Sequence, residues 1–292
     1  MSGNTGNTGN TGNTGNTGNT GNTGNTGNTG NAGNIGDPGG GWGFADRANA
    51  PFVNERELER SALPYKEKGY PDQNWGSYWF AWATLTEFAQ LGWKNKVQLP
   101  APDLTRTAVE IDDLLQLARN ERADALDEIA AQKDEFLSYF MQLLSISPHS
   151  HPNTQRVLAS ASLIALFMAQ YFKTEYKRQR PAQLCSALLP PIQAPGHASY
   201  PNGHSTQAHL MAYCVALVLP ENVRPKLQNN LRVLADRIGR NREIAGLHYR
   251  SDTVAGVTLA NSIFTLLNTD PDSKATMQRF WEAIEKAKEE WA

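Results

Sequence analysis

Between Lys173 and Asp252, three short stretches carry side chains that could hold and attack an anion. The first runs Lys173-Thr174-Glu175-Tyr176-Lys177-Arg178-Gln179-Arg180-Pro181. On a continuous helix, positions 173 and 180 are two turns apart. Lys173 and Arg180 would then share one face, about 10 Å apart along the axis, and could grip a dianion. Lys177 and Arg178 read as solvated. Taken alone, the stretch is also an ordinary basic helix end that suits the helix dipole.

The second stretch is Ser199-Tyr200-Pro201-Asn202-Gly203-His204, directly ahead of an apolar run. A helix beginning at Gly203 or His204 turns its first free N–H groups outward, where anions bind. Glycine lets an anion come close to the backbone. Asn202 offers a side-chain N–H, and His204 stands at the rim. The alternative is a plain Asn-Gly turn. The third stretch is Arg242-x5-His248-x3-Asp252. His248 and Asp252 are four apart, within reach of each other on a helix or tight turn. A carboxylate on one imidazole nitrogen fixes the tautomer and makes the other nitrogen a better nucleophile or base. Arg242 adds a permanently charged fork. An ordinary surface pair is again the alternative.

All three stretches, in this order, serve one anion. At this point the chain resembles the superfamily of type 2 phosphatidic acid phosphatases, bacterial non-specific acid phosphatases and vanadium-dependent haloperoxidases. That superfamily's pattern is K-x6-R-P, then P-S-G-H, then S-R-x5-H-x3-D. Here the pattern reads Lys173…Arg180-Pro181, Pro201-Asn202-Gly203-His204 and Asn241-Arg242…His248…Asp252. The resemblance extends from about Thr105 to Leu267 and departs twice, with Asn202 and Asn241 where the family has serine. It implies that Lys173, Arg180 and Arg242 neutralise phosphate oxygens while the Gly203 N–H and Asn202 complete the cradle. Asn241 would be a supporting position. His248 would attack phosphorus to form a phosphohistidine, oriented by Asp252. His204 would protonate the leaving oxygen and then activate water. The implied substrate is a small soluble phosphate ester and no cofactor is required. The same cradle binds vanadate on His248 in the haloperoxidases, but their longer insertions between motifs favour the phosphatase here. A different class, a phosphate-binding or scaffold module whose catalysis has lapsed, is motivated by Asn202 and opposed by the intact His204, His248 and Asp252. A zinc site from His204, His209, His248 and Asp252 is disfavoured because three cations around the same point repel a dication. His149, His151 and His197 lie in Pro-rich loops and read as ordinary loop residues, and His209 as core or supporting.

The elements that must position these residues read as helices. Trp75, Trp79 and Trp82 form one stripe, expected in the core. Thr107-x-x-Glu110 reads as a capping box before Ile111, Leu114, Leu115 and Leu117. A second amphipathic run carries Leu126, Ile129, Phe136, Leu137, Phe140 and Leu144. A third runs from Thr154 to Arg180, ended by Pro181. His204–Leu219 is next. Another helix has Pro225 in its first turn. Ser251 and Ser273 are expected to cap the last two. Nothing alternates at period two, so the fold class is an all-α bundle.

The domain expected to hold this bundle is 42–292. Residues 1–41 are a Gly-Asn-Thr tract with glycine at every third position from Gly3. Without proline in that period a collagen helix is marginal, so the tract reads as a disordered tail with assembly as the alternative. The formal net charge of -2 gives no reason to expect nucleic acid as a partner. Cys185 and Cys214 read as free thiols. The longest apolar run, Val157–Phe172, is short for a span, and no signal peptide is visible. A soluble, cytoplasmic protein is expected, with homo-oligomers open.

Overall fold

A computed structural model describes residues 69–292. The tract at 1–41 and the first part of the region 42–292 lie outside the described residues. Among the described residues 71% are helical and none is in a strand, so the expected all-α class holds. The helices in chain order are α1 (Ser77–Phe88), α2 (Trp93–Lys96), α3 (Thr107–Asn120), α4 (Arg122–Ala131), α5 (Leu137–Leu144) and α6 (Pro152–Tyr176). They continue with α7 (Pro181–Leu184), α8 (Gly203–Ala216), α9 (Arg224–Ile244), α10 (Arg250–Thr269), α11 (Ser273–Thr276) and α12 (Gln278–Glu289).

Helix α6 is the post around which the bundle is built. Its apolar residues fall on every side, and Val157, Leu158, Ala161, Ile164, Ala165, Met168 and Ala169 are all buried. A helix of that kind needs neighbours all round, and α1, α8 and α12 supply them. By length and composition the stretch Pro152–Leu184 is long and apolar enough to cross a membrane, a correction to the short span read from Val157–Phe172. In this fold 67% of its most apolar window is buried inside the protein.

Helix α8 lies between α6, α9 and α10. Two glycines allow the approach. A Cβ on Gly239 would stand 3.0 Å from Thr253 Cγ2, and one on Gly256 would stand 2.7 Å from the Asn202 carbonyl oxygen. At the same junction the Asn202 N–H donates to the Asp252 carbonyl over 2.9 Å. The start of α8 and the start of α10 are therefore fastened together by backbone.

Several local readings change. Trp79 and Trp82 are 60% and 42% exposed. The core face of α1 is Phe80, Ala81, Thr84, Leu85 and Phe88, while Trp75 precedes the helix, so the stripe never forms. Both exposed tryptophans pack edge-on against Tyr78 instead. The second amphipathic run is broken between Gln132 and Phe136 into α4 and α5. Thr107 is not a cap, since its hydroxyl donates back to the Leu104 carbonyl, and Glu110 turns inward. Ser251 lies inside α10, whose N-cap is Tyr249. Ser273 begins the short α11, and its hydroxyl donates to the Leu267 carbonyl and accepts from Trp281 Nε1.

Gly256→Ala is expected to destabilise the protein by about 1–3 kcal/mol, because its new methyl meets main chain that cannot swing aside. Gly196→Ala, with nothing within 4 Å of the added carbon, should stay within about 0.5 kcal/mol of the parent. Paired urea denaturation curves check both.

Candidate active site

The basic stretch does not continue the helix. Helix α6 ends at Tyr176, where Lys177 takes a left-handed conformation with φ of 49°. Arg180 is extended and Pro181 opens α7 rather than closing α6. Lys173 and Arg180 thus do not share a helix face. They converge because the chain turns between them.

Lys173 is buried in the last turn of α6. Its Nζ donates to the carbonyls of Ala198 (2.8 Å), Ser199 (2.7 Å) and Pro201 (2.6 Å). An ammonium has three N–H groups, so all are committed to the loop that leads into α8. Burial, with the Arg180 charge beside it, lowers the Lys173 pKa to about 7. Arg180 is spent in the same manner. Its Nε donates to the His197 carbonyl (2.9 Å) and Nη1 to the Leu247 carbonyl (2.9 Å). Nη1 also lies 3.3 Å from His248 Nε2, and Nη2 lies 3.1 Å from His197 Nδ1.

Those contacts assign tautomers. Arginine only donates, so His248 Nε2 accepts and the His248 proton sits on Nδ1. Nδ1 faces Asp252 Oδ2 at 3.2 Å. Burial, with Arg180 and Lys173 nearby, holds the imidazole pKa well below its ordinary value, so it is neutral, with its Nε2 lone pair turned toward Arg180 Nη1. Burial pushes Asp252 up, while Arg178 and hydrogen bonds from Ser199 and Tyr249 pull it down. Its oxygens meet Ser199 Oγ (2.5 Å), Arg178 Nη1 (2.8 Å), the Tyr249 N–H (3.2 Å) and His248 Nδ1. Every neighbour is a donor, which suits the carboxylate and not the acid.

Arg178, expected in solvent, is buried. It bridges Asp252 and Glu110 and stacks on the Tyr249 ring with its guanidinium carbon 3.7 Å from the centroid. Burial works against its charge, and Asp252 and Glu110 more than offset this. His197, expected to be an ordinary loop residue, reaches the site through Arg180. Burial and the Lys173 charge lower its pKa to about 4. Spacing alone exposes neither residue, and the local signal at Glu110, on α3, is a capping-box pattern that the structure does not bear out.

Asn202 also departs from expectation. Its side chain is the N-cap of α8: Oδ1 accepts from the Ser205 N–H at 3.3 Å, and Nδ2 donates to Thr253 Oγ1 at 3.2 Å. The amide faces the α8–α10 junction and is occupied there. The N–H groups of Gly203 and His204 have no partner among the described residues and remain as the helix-end anion donors. Asn241 is supporting, donating to Glu128 Oε2 and Gln132 Oε1.

His204 is clamped by the break between α4 and α5. Its Nε2 donates to the Gln132 carbonyl at 3.0 Å, and its ring lies 4.9 Å from that of Phe136. Burial and the Arg242 charge lower its pKa to about 3. Nδ1 is the nitrogen left to exchange a proton. Arg242 is buried, with Nη2 on the Ile129 carbonyl (2.9 Å) and Nε unpartnered among the described residues. Burial lowers it to about 10, so it stays charged at neutral pH. Arg242, His204 and His197 line a cavity of about 540 Å³, which Tyr78, Ala159, Leu163 and Leu166 also line. His209 is internal, between the Ser205 carbonyl and Asp236. His151 packs on Trp291, apart from the site, and His149 is exposed. Cys185 and Cys214 are free.

Because Asn202 acts as a cap, Asn202→Ser should keep vanadate affinity within about threefold. Asn202→Ala should cost about 1 kcal/mol of stability. Thermal melts with vanadate titration check both.

Residues 156–274 match the PAP2 superfamily, and the match contains every motif residue from Lys173 to Asp252. An acid phosphatase of Zymomonas mobilis subsp. mobilis is 32% identical over 90 residues, which is 31% of this chain and 32% of that protein. The chain therefore spans about a third of that relative's length. The helices that gather His204, His248 and the three cations around one point are, over residues 156–274, a PAP2 superfamily domain.

Proposed function

We propose that the protein is a phosphomonoesterase that works through a phosphohistidine on His248, on a soluble phosphate ester. The observation that carries the reading is the state of His248: neutral, with Nδ1 on Asp252 and the Nε2 lone pair among buried cations. That is a nucleophile beside charges able to hold the group it attacks. The acid phosphatase resemblance points to the same chemistry.

In this reading the phosphate sits at the start of α8, on the N–H groups of Gly203 and His204 and the unspent donors of Arg242. Its charge draws Arg180 off His248. Nε2 then attacks phosphorus as the ester P–O bond breaks, and Asp252 stabilises the imidazolium that forms. A protonated His204 delivers its proton to the departing oxygen, releasing the alcohol. His204 is neutral in the free site, so it takes up that proton only once an anion stands beside it and counters Arg242. In the second half His204 accepts a proton from water as its oxygen attacks the phosphohistidine. Phosphate leaves and both histidines return to their starting state. The cations supply the electrostatic stabilisation that phosphoryl transfer needs, and the reaction as proposed calls on no cofactor. The cavity beyond His204 takes the leaving group.

The deciding assay is hydrolysis of p-nitrophenyl phosphate with chelator present, with and without vanadate. Turnover that vanadate blocks is expected. No turnover, together with bromide oxidation by a vanadate-loaded sample given peroxide, would replace this reading with the haloperoxidase. Vanadate binding without either activity would leave the lapsed module.

His248→Ala should lower kcat by about 10³-fold or more while vanadate or phosphate still binds. Full activity in that variant would remove the nucleophile assignment. Lys173 sets a pH dependence. With its pKa lowered to about 7, it is charged below that pH and neutral above it. The cradle therefore loses a positive charge as pH rises, and kcat/KM should fall above about pH 7. A profile that is flat to about pH 9 would assign the charge elsewhere.

A further inference from the structure

Behind Asp252 stands a charged chain that the reaction as proposed does not use. Arg178 Nη1 donates to Asp252 Oδ1 (2.8 Å) and to Ser251 Oγ (2.7 Å), and Nη2 donates to Glu110 Oε2 (2.9 Å). Glu110 in turn receives the Ser251 N–H on Oε1 (2.7 Å) and the Ser251 hydroxyl on Oε2 (2.8 Å). Arg178 and Glu110 are only 5% and 6% exposed. Stability alone is a weak reason to keep such a chain, since replacing a buried ion pair with apolar residues of similar size is often neutral or stabilising.

What the chain does achieve is geometric. The two oxygens of Asp252 have different duties. Oδ2 faces His248 Nδ1 and also receives the Ser199 hydroxyl and the Tyr249 N–H, while among the described residues Oδ1 is held by Arg178 alone. A carboxylate clamped at one oxygen cannot rotate the other away. Arg178 is itself fixed on three sides: the Tyr249 ring beneath it, Ser251 beside it and Glu110 at its far end. Glu110 also ties this chain to the first turn of α10, the turn that carries Asp252. It does so from α3, which lies outside the matched residues 156–274.

We infer that Glu110 and Arg178 are positioning residues, which lock the Asp252 side chain and so hold His248 as its Nδ1–H tautomer. The kinetic part of this inference rests on the phosphatase reading; the tautomer part does not.

The test is ¹⁵N NMR of the imidazole nitrogens together with p-nitrophenyl phosphate kinetics, on the full chain and three variants. In the parent protein His248 should give the Nδ1–H signature. Glu110→Gln should reduce that signature and lower kcat by about 10- to 100-fold, the range for partners that orient a functional histidine, with KM within about threefold. Ser251→Ala removes one bridging hydroxyl, leaves the charges in place, and should lower kcat by about threefold. The double variant Glu110→Gln/Arg178→Met also removes the cation paired with the buried Asp252, so Tm should fall below that of Glu110→Gln, with the tautomer signature and kcat impaired further. A Tm that falls in these variants while the His248 signature and kcat stay at the parent values would mean that the pair only supports the fold, and would overturn the inference. So would an unchanged His248 signature in Glu110→Gln. If the parent shows no turnover but the variants change the His248 signature, the phosphatase reading fails and the positioning role stands.

Discussion

Lys173, Arg178, Arg180 and Arg242 are packed out of water about His248, its partner Asp252 and His204, and buried positive charge must be answered by something. Leaving such an ion unpaired costs several kcal/mol. Two carboxylates, Asp252 and Glu110, answer part of it. Main-chain carbonyls answer more: Lys173 alone takes three, and Arg180 those of His197 and Leu247. The loop from His197 to Pro201, the turn at Leu247 and the last turn of α4 are arranged so that their carbonyls face these cations. Much of the irregular backbone in this helical protein exists to satisfy that requirement.

The same requirement joins site and core. Helix α8 presents its first N–H groups to the proposed anion site and its later residues, Leu210, Met211, Cys214 and Val215, to the core. Gly239 and Gly256 let α9 and α10 close on it, and the Asn202–Asp252 backbone bond sets how far the α8 start stands from the residue that orients His248. Displacing α8 by a fraction of an ångström would move the anion donors and the nucleophile relative to each other, the kind of error to which catalysis is most sensitive.

The motif residues were legible because their chemistry is unusual at their spacing. A histidine four before an aspartate and a glycine at a helix start each say what they can do, and the structure brings those residues to one place. The helical class was equally plain from the lack of any period-two stretch. What could not be read is which way a side chain turns once the backbone departs from a regular helix. The left-handed Lys177 redirects everything after it, sending Arg178 inward and making Arg180 converge with Lys173 from a second element. Asn202 was read as an anion donor because it occupies a motif position, yet capping α8 competes for the same amide and wins. The tryptophans at 79 and 82 show the reverse error, in which large apolar side chains suggested a core that Phe80 and Leu85 already fill. Glu110 was beyond reach, because its partner lies sixty-eight positions away and only tertiary packing joins them.

The contact between Arg180 and His248 Nε2 has a consequence for selectivity. In the free protein the His248 Nε2 lone pair, the nucleophile of the proposed reaction, is covered by a guanidinium. A neutral electrophile of similar size has nothing to offer that guanidinium and finds the nitrogen shielded. An anion competes for the arginine and uncovers the histidine as it arrives. In the proposed reaction the substrate's own charge therefore acts as the key, and a reactive imidazole can be kept inside the protein without being open to modification by uncharged compounds.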